Sequence, residues 1–128
     1  MAEPIVITVL VENTVYRRRL LDDQALFFDT ADGLVVLCGC GHSGVVNTLD
    51  YIQELTGGRP VGAILGGFHL GTASPERLAN TVGCLRRLNV QQLVPGHCTG
   101  LAAIRDLYVA FPGRCSSCSV GLRMQFES

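Results

Sequence analysis

The sequence predicts an α/β fold, and three observations carry that prediction. Short β-branched runs alternate with amphipathic segments of helical period, a glycine-containing turn follows each run from Gly39 onward, and an Asp-Gly pair separates two early runs. At 128 residues, 48% hydrophobic and 16% charged, the chain reads as a single domain, 1–128, around one core and without an internal linker.

The elements follow in order. Ile5–Val11 is an apolar, β-branched run and reads as a strand. Ala25–Asp29 and Leu34–Cys38 flank Thr30-Ala31-Asp32-Gly33, a strong hairpin signal. Ser43 can cap a helix bearing Val45, Val46, Leu49, Ile52 and Leu55, which Gly57-Gly58 stops. Val61–Leu65 is the next strand. Ser74-Pro75-Glu76 supplies an N-cap, a first-turn proline and a first-turn acid to a helix with Leu78, Val82, Leu85 and Leu88 on one face. Arg86 and Arg87 suit its C-terminal end, where the helix dipole favours cations. Gln91–Val94 is a short strand, Thr99 caps a helix bearing Leu101, Ile104, Leu107 and Tyr108, and Val120–Phe126 is expected to form a last strand.

Charge excludes some partners. The formal net charge is -1 and all ten basic residues are arginine, so there is no large basic field to draw nucleic acid or an anionic membrane. Arg17, Arg18 and Arg19 form the basic run, read as a solvated face. Met1–Leu10 has no positive n-region and is too short in apolar residues for a signal peptide or membrane span, so a cytoplasmic protein is expected. In that compartment the six cysteines are expected to be reduced thiols.

Each of the three histidines sits in a glycine-rich turn directly after a strand: Gly41-His42-Ser43-Gly44, Gly66-Gly67-Phe68-His69-Leu70-Gly71 and Pro95-Gly96-His97-Cys98-Thr99-Gly100. In open α/β sheets the loops at strand C-terminal ends converge on one crevice, so all three are expected to face one site. A helix N-terminus disfavours imidazolium, which keeps the ring neutral and able to bind a metal. Taken singly, each reads better as a turn residue bonded to backbone; it is the recurrence of all three in the same context that favours a shared site.

The segments Gly39-Cys40-Gly41-His42-Ser43-Gly44-Val45-Val46-Asn47-Thr48-Leu49, Gly66-Gly67-Phe68-His69-Leu70 and Pro95-Gly96-His97-Cys98-Thr99-Gly100 resemble successive C-terminal motifs of the metallo-β-lactamase superfamily. The branch resembled includes metal-dependent hydrolases and dihydropterin ribofuranosylaminobenzene phosphate synthases. The resemblance spans about Asp22 to Phe126 and implies the C-terminal half of an αββα sandwich, over residues 21–128, as a mixed sheet with helices on one face. Residues 1–20 then look like a remnant of the first strand. It implies His42 and His97 as metal ligands, with zinc the first choice of divalent metal and iron or manganese as alternatives. His69 falls near the place of a bridging aspartate, and His69, Cys40, Cys98 and Thr99 are implied to lie beside the metal or the substrate. The superfamily's His-x-His-x-Asp-His motif does not occur in this chain.

Two functions follow as expectations. One is metal-dependent hydrolysis of a small-molecule ester, phosphoester or amide, reduced or lost because half of the metal site is missing. The other is a non-catalytic metal-binding or oligomerisation module. A half-sandwich exposes an apolar sheet face, so a homo-oligomer is expected to cover it. Cys38 and Cys40, two apart at a strand end beside His42, are expected to share a strand face, where a mixed Cys/His metal site or a redox pair is one reading and buried packing, for Cys38, Cys84 and Cys98, the other. Cys115-x-x-Cys118 is a weak signal for a metal, disulfide or iron-sulfur role. Asp32 reads as a turn residue, Asp50 as a helix-surface residue, and Asp29 as an acid at a strand end; none is assigned to catalysis.

Overall fold

A computed structural model describes residues 6–10, 24–41 and 44–127 and places five strands in one sheet, in spatial order identical to chain order. The strands are β1 (Val6–Leu10), β2 (Gln24–Thr30), β3 (Gly33–Cys38), β4 (Val61–Gly67) and β5 (Gln92–Gly96). The helices are α1 (Val45–Thr56), α2 (Pro75–Arg87) and α3 (Leu101–Ala110). β1, β2 and β3 pair antiparallel, whereas β3, β4 and β5 pair parallel. The sheet is therefore mixed, as expected. The arginine run Arg17–Arg19, His42 and Ser43 lie outside the described residues.

The β2–β3 hairpin closes through Ala31-Asp32, with Thr30 opposite Gly33. Thr30 Oγ1 donates to the Gly33 carbonyl at 2.7 Å and accepts from the Asp32 amide at 3.1 Å, so the turn is fixed by its own side chain. Parallel pairing needs a crossover, and α1 and α2 supply the two that carry the chain from β3 to β4 and from β4 to β5.

All three helices pack on one sheet face. Phe27, Leu34, Val36, Ile64 and Leu93 meet Leu49 and Ile52 of α1, Cys84 and Leu85 of α2, and Ala103 and Leu107 of α3 in one buried cluster. Each fully buried leucine or isoleucine contributes about 1.5–3 kcal/mol by leaving water. Ser74 caps α2 as its sequence predicts, accepting from the Arg77 amide at 3.1 Å. The Gly57 left-handed turn ends α1.

Five expectations are corrected. α1 begins after Gly44, which offers no side-chain cap, and Leu55 at its far end is exposed. Helix α3 is capped by Gly100 and not by Thr99. Ala103 and Leu107, with Phe111 just past the helix, face inward, whereas Leu101 and Tyr108 are exposed. Val120–Phe126 forms no strand, because Gly121 takes φ 90° and a turn from Ser119 to Leu122 breaks the run before it can join a ladder. The chain adds a single bridge beside β5, Leu93 with Cys115, and then departs.

The second sheet face is lined by Leu26, Phe28, Val35, Leu37, Ala63, Leu65 and Val94, which follow one another across the registered strands. Cys118 stands against Gly96 on this side, and the Glu127 carbonyl accepts from Ala31 at 2.8 Å. The irregular C-terminal run thus extends from the β5 edge to the hairpin. Among the described residues no helix is long and apolar enough to cross a membrane.

Candidate metal centre

Parallel pairing sets the C-terminal ends of β3, β4 and β5 side by side, with Cys38 opposite Gly66 and Gly67 opposite Gly96. The turns beginning at Gly39, Phe68 and His97 therefore leave the sheet together. They are then tied to one another. The Gly67 amide donates to the Gly39 carbonyl at 3.0 Å, and the Gly71 amide to the Cys98 carbonyl at 3.2 Å. Thr99, fully buried, donates to the Gly96 carbonyl at 2.7 Å and accepts from the Phe68 amide at 3.1 Å.

Close backbone approach explains the glycines at two of these contacts. At Gly41, φ is +73° and a Cβ would stand 2.6 Å from the Gly67 carbonyl oxygen. At Gly100, φ is +83° and a Cβ would stand 2.8 Å from the Gly71 Cα. Any side chain would push the turns apart.

The clasped turns bring together Cys40, His97 and Cys98, whose sulfur and ring-nitrogen atoms all lie within 4.8 Å of one another. The Cys40 thiol is 3.1 Å from Cys98 Sγ, and Cys98 Sγ donates to the Cys40 carbonyl at 2.8 Å. His69 Nδ1 lies 3.7 Å from Cys40 Sγ. His69 and His97 both take left-handed backbone, φ 51° and 52°. Strain of that kind persists where the surroundings hold it, and it concentrates at functional sites.

The structure thus joins His97, His69, Cys40 and Cys98, and it makes Thr99 the clasp between the β4 and β5 turns. His42 is outside the described residues, although Gly41 beside it is fixed against the β4 turn. Cys40 lies past the end of β3, so the face-sharing expected with Cys38 does not extend to it: Cys38 packs on the core, while Cys40 turns to Cys98. Cys98 likewise leaves the packing expected of it. The sequence signal for this pair was present, since each cysteine stands within two residues of a histidine, in Cys40-Gly41-His42 and His97-Cys98.

No described carboxylate joins the cluster. Asp29 pairs with Arg59, Asp32 accepts from the Glu127 amide, and Asp50 faces Arg87 at 3.8 Å. Among the described residues no two cysteines are joined in a disulfide. Burial pushes the Cys84 thiol above its ordinary value, with Asp50 adding to the rise and Arg87 opposing it. Burial raises Cys115 as well, and its thiol faces the Leu107 carbonyl at 3.4 Å.

Comparison with known proteins extends this picture. No protein-family model matches the chain. It is 38% identical over 82 residues to the 7,8-dihydropterin-6-methyl-4-(β-D-ribofuranosyl)-aminobenzene-5'-phosphate synthase of Methanocaldococcus jannaschii, a match covering 64% of this chain and 28% of that protein. A second M. jannaschii protein, the uncharacterised MJ0448, is 33% identical over 73 residues, which is 57% of this chain and 27% of that one. The chain thus matches under a third of the length of either relative. Among solved structures, Tm1679, a metal-dependent hydrolase of the β-lactamase superfamily, superposes with a TM-score of 0.81 at 34% identity, over 88% of this chain and 43% of that one. Sequence and architecture together make this chain half of a metallo-β-lactamase-type fold.

Proposed function

We propose that the strand-end turns hold a divalent metal, zinc first, and that the chain takes part in metal-dependent hydrolysis of a small-molecule ester, phosphoester or amide in the cytoplasm. The observation that carries this reading is the convergence of the β3, β4 and β5 turns on one cluster of nitrogen and sulfur donors. The donor chemistry fits, because imidazole and thiolate are the usual protein ligands of zinc. The superposition on a metal-dependent hydrolase supports it.

His42 and His97 are proposed as metal ligands, with His69 beside them toward the substrate. A metal held there supplies Lewis acidity, which polarises the bond under attack and lowers the pKa of a nearby water. Thr99 keeps the β4 and β5 turns in register, and the glycine contacts keep the donors at fixed spacing. We further place a second copy of the chain over the half-buried Leu26, Phe28, Leu37 and Leu65 of the second sheet face.

A second reading, a metal-binding module without turnover, is favoured by one observation: no described carboxylate reaches the cluster to orient a water. Elemental analysis of the native chain and of a His42→Ala/His97→Ala variant tests the site. About one metal per chain, lost in the variant, is the expected result, and a metal-free native protein refutes it. Turnover on phosphodiester, lactone or thioester substrates, abolished by His42→Ala, separates the hydrolase from the silent module.

A further inference from the structure

We propose that Cys40 and Cys98 bind the metal directly as thiolates, together with His97, so that the centre is sulfur-rich and not built from imidazole alone. The inference rests on the reading that this end of the molecule binds metal, and it changes which atoms do so.

The spacing supports it. Zn–S bonds of about 2.3 Å at tetrahedral angles put two ligating sulfurs about 3.8 Å apart, and a sulfur and an imidazole nitrogen about 3.6 Å apart. Here the two sulfurs are 3.1 Å apart and all three donors lie within 4.8 Å. The sulfurs need to separate by only about 0.7 Å to reach the tetrahedral figure, a rotamer adjustment. The pair is also far from the roughly 2.05 Å of a disulfide.

Local structure provides the room. A Cβ on Gly67 would stand 3.0 Å from Cys98 Sγ, so the bare glycine leaves space for that sulfur. The left-handed backbone of His97 lets two successive side chains, His97 and Cys98, meet at one point. Without metal the thiols are satisfied by each other: Cys40 S–H donates to Cys98 Sγ, and Cys98 S–H to the Cys40 carbonyl. Metal entry replaces both S–H protons, which are released to solvent, and both sulfurs become metal-bonded. Three such donors leave a fourth place for water. Two thiolates select zinc or another soft ion over magnesium, calcium or manganese.

The test is titration of the reduced, metal-stripped chain with cobalt(II) and then zinc. The expected result is a near-ultraviolet thiolate-to-cobalt charge-transfer band that zinc removes stoichiometrically. Zinc is also expected to protect Cys40 and Cys98 from iodoacetamide in peptide mass mapping, while the exposed Cys118 stays reactive. Cys40→Ser/Cys98→Ser should abolish the band and weaken zinc binding by more than about 100-fold, beyond what loss of an outer-shell partner costs. His42→Ala should keep the band. Cobalt binding without that band, at an affinity unchanged in the double serine variant, overturns the thiolate assignment while leaving the histidine site intact. No metal binding by the native chain rejects both. Should the serine variant not fold, unprotected Cys40 and Cys98 in the zinc-treated native chain still refute the proposal.

Discussion

Replacing Thr99 with valine isolates the clasp between the two turns that carry His69 and His97. Valine keeps the shape and the apolar contacts of a fully buried side chain but removes the hydroxyl that donates to Gly96 and accepts from Phe68. A buried amide left without its acceptor costs about 1–3 kcal/mol. With about 2.1 cal/mol/K of unfolding entropy per residue over 128 residues, a loss of about 2 kcal/mol lowers the thermal midpoint by about 7 °C. The control is Thr81→Val in α2, also buried, whose hydroxyl only back-bonds to the Arg77 carbonyl four residues earlier. That change orphans no amide and should stay within about 2 °C of the native midpoint. Differential scanning calorimetry of the two variants decides the matter. Equal midpoints, or a smaller loss for Thr99→Val, would show that the hydroxyl does not hold the turns together. Zinc affinity measured on the same samples should fall for Thr99→Val and remain native for Thr81→Val.

Three further outcomes follow from the packing. Leu49→Ala opens a cavity at a fully buried position of α1 and should cost about 2–5 kcal/mol by urea denaturation; a loss under 1 kcal/mol would mean that α1 is not seated on the sheet as described. Gly100→Ala combines a positive φ with a clash against Gly71 and should lower stability by about 1–3 kcal/mol, with a native-like midpoint refuting that close approach. The Cys84 thiol, raised by burial, stays protonated in the folded chain at pH values where the unfolded chain has lost that proton, so the folded state binds more protons there. Stability should therefore be independent of this group below its ordinary value of 9.0 and fall as pH rises above it. Cys84→Ala should flatten that alkaline decline, and an unchanged slope between pH 9 and 10 would refute the assignment.

What the sequence revealed depended on how local each signal was. The hairpin, the Ser74 cap with Pro75, and the Gly57 stop are decided within a few residues, and all appear where the pattern puts them. The same holds for the three strand-end turns, because βα units place their glycines directly after each strand. The misassignments came from longer-range effects. Val120–Phe126 has the apolar content of a strand, but strand formation needs an available edge, and Gly121 turns the chain away from the one at β5. Thr99 has the chemistry of a helix cap, yet the Phe68 amide from another turn claims its hydroxyl first. The meeting of Cys40 with Cys98 rests on the register of β3, β4 and β5, which no short window of sequence contains.

Every described strand pairs with its neighbour in sequence, but only the β2–β3 hairpin closes a short loop; the parallel pairings of β3 with β4 and of β4 with β5 each wait on a helical crossover and are the slower to form. The donor cluster is under a different constraint, because Cys40 and Cys98 are separated by 58 positions and meet only once β5 has docked beside β4. Under the proposed metal-binding reading, competence to capture an ion waits on that docking step. In a stopped-flow refolding experiment, far-ultraviolet ellipticity would recover ahead of ion uptake, and an ion supplied from the start could not seed the nucleus but only lock the finished end of the sheet.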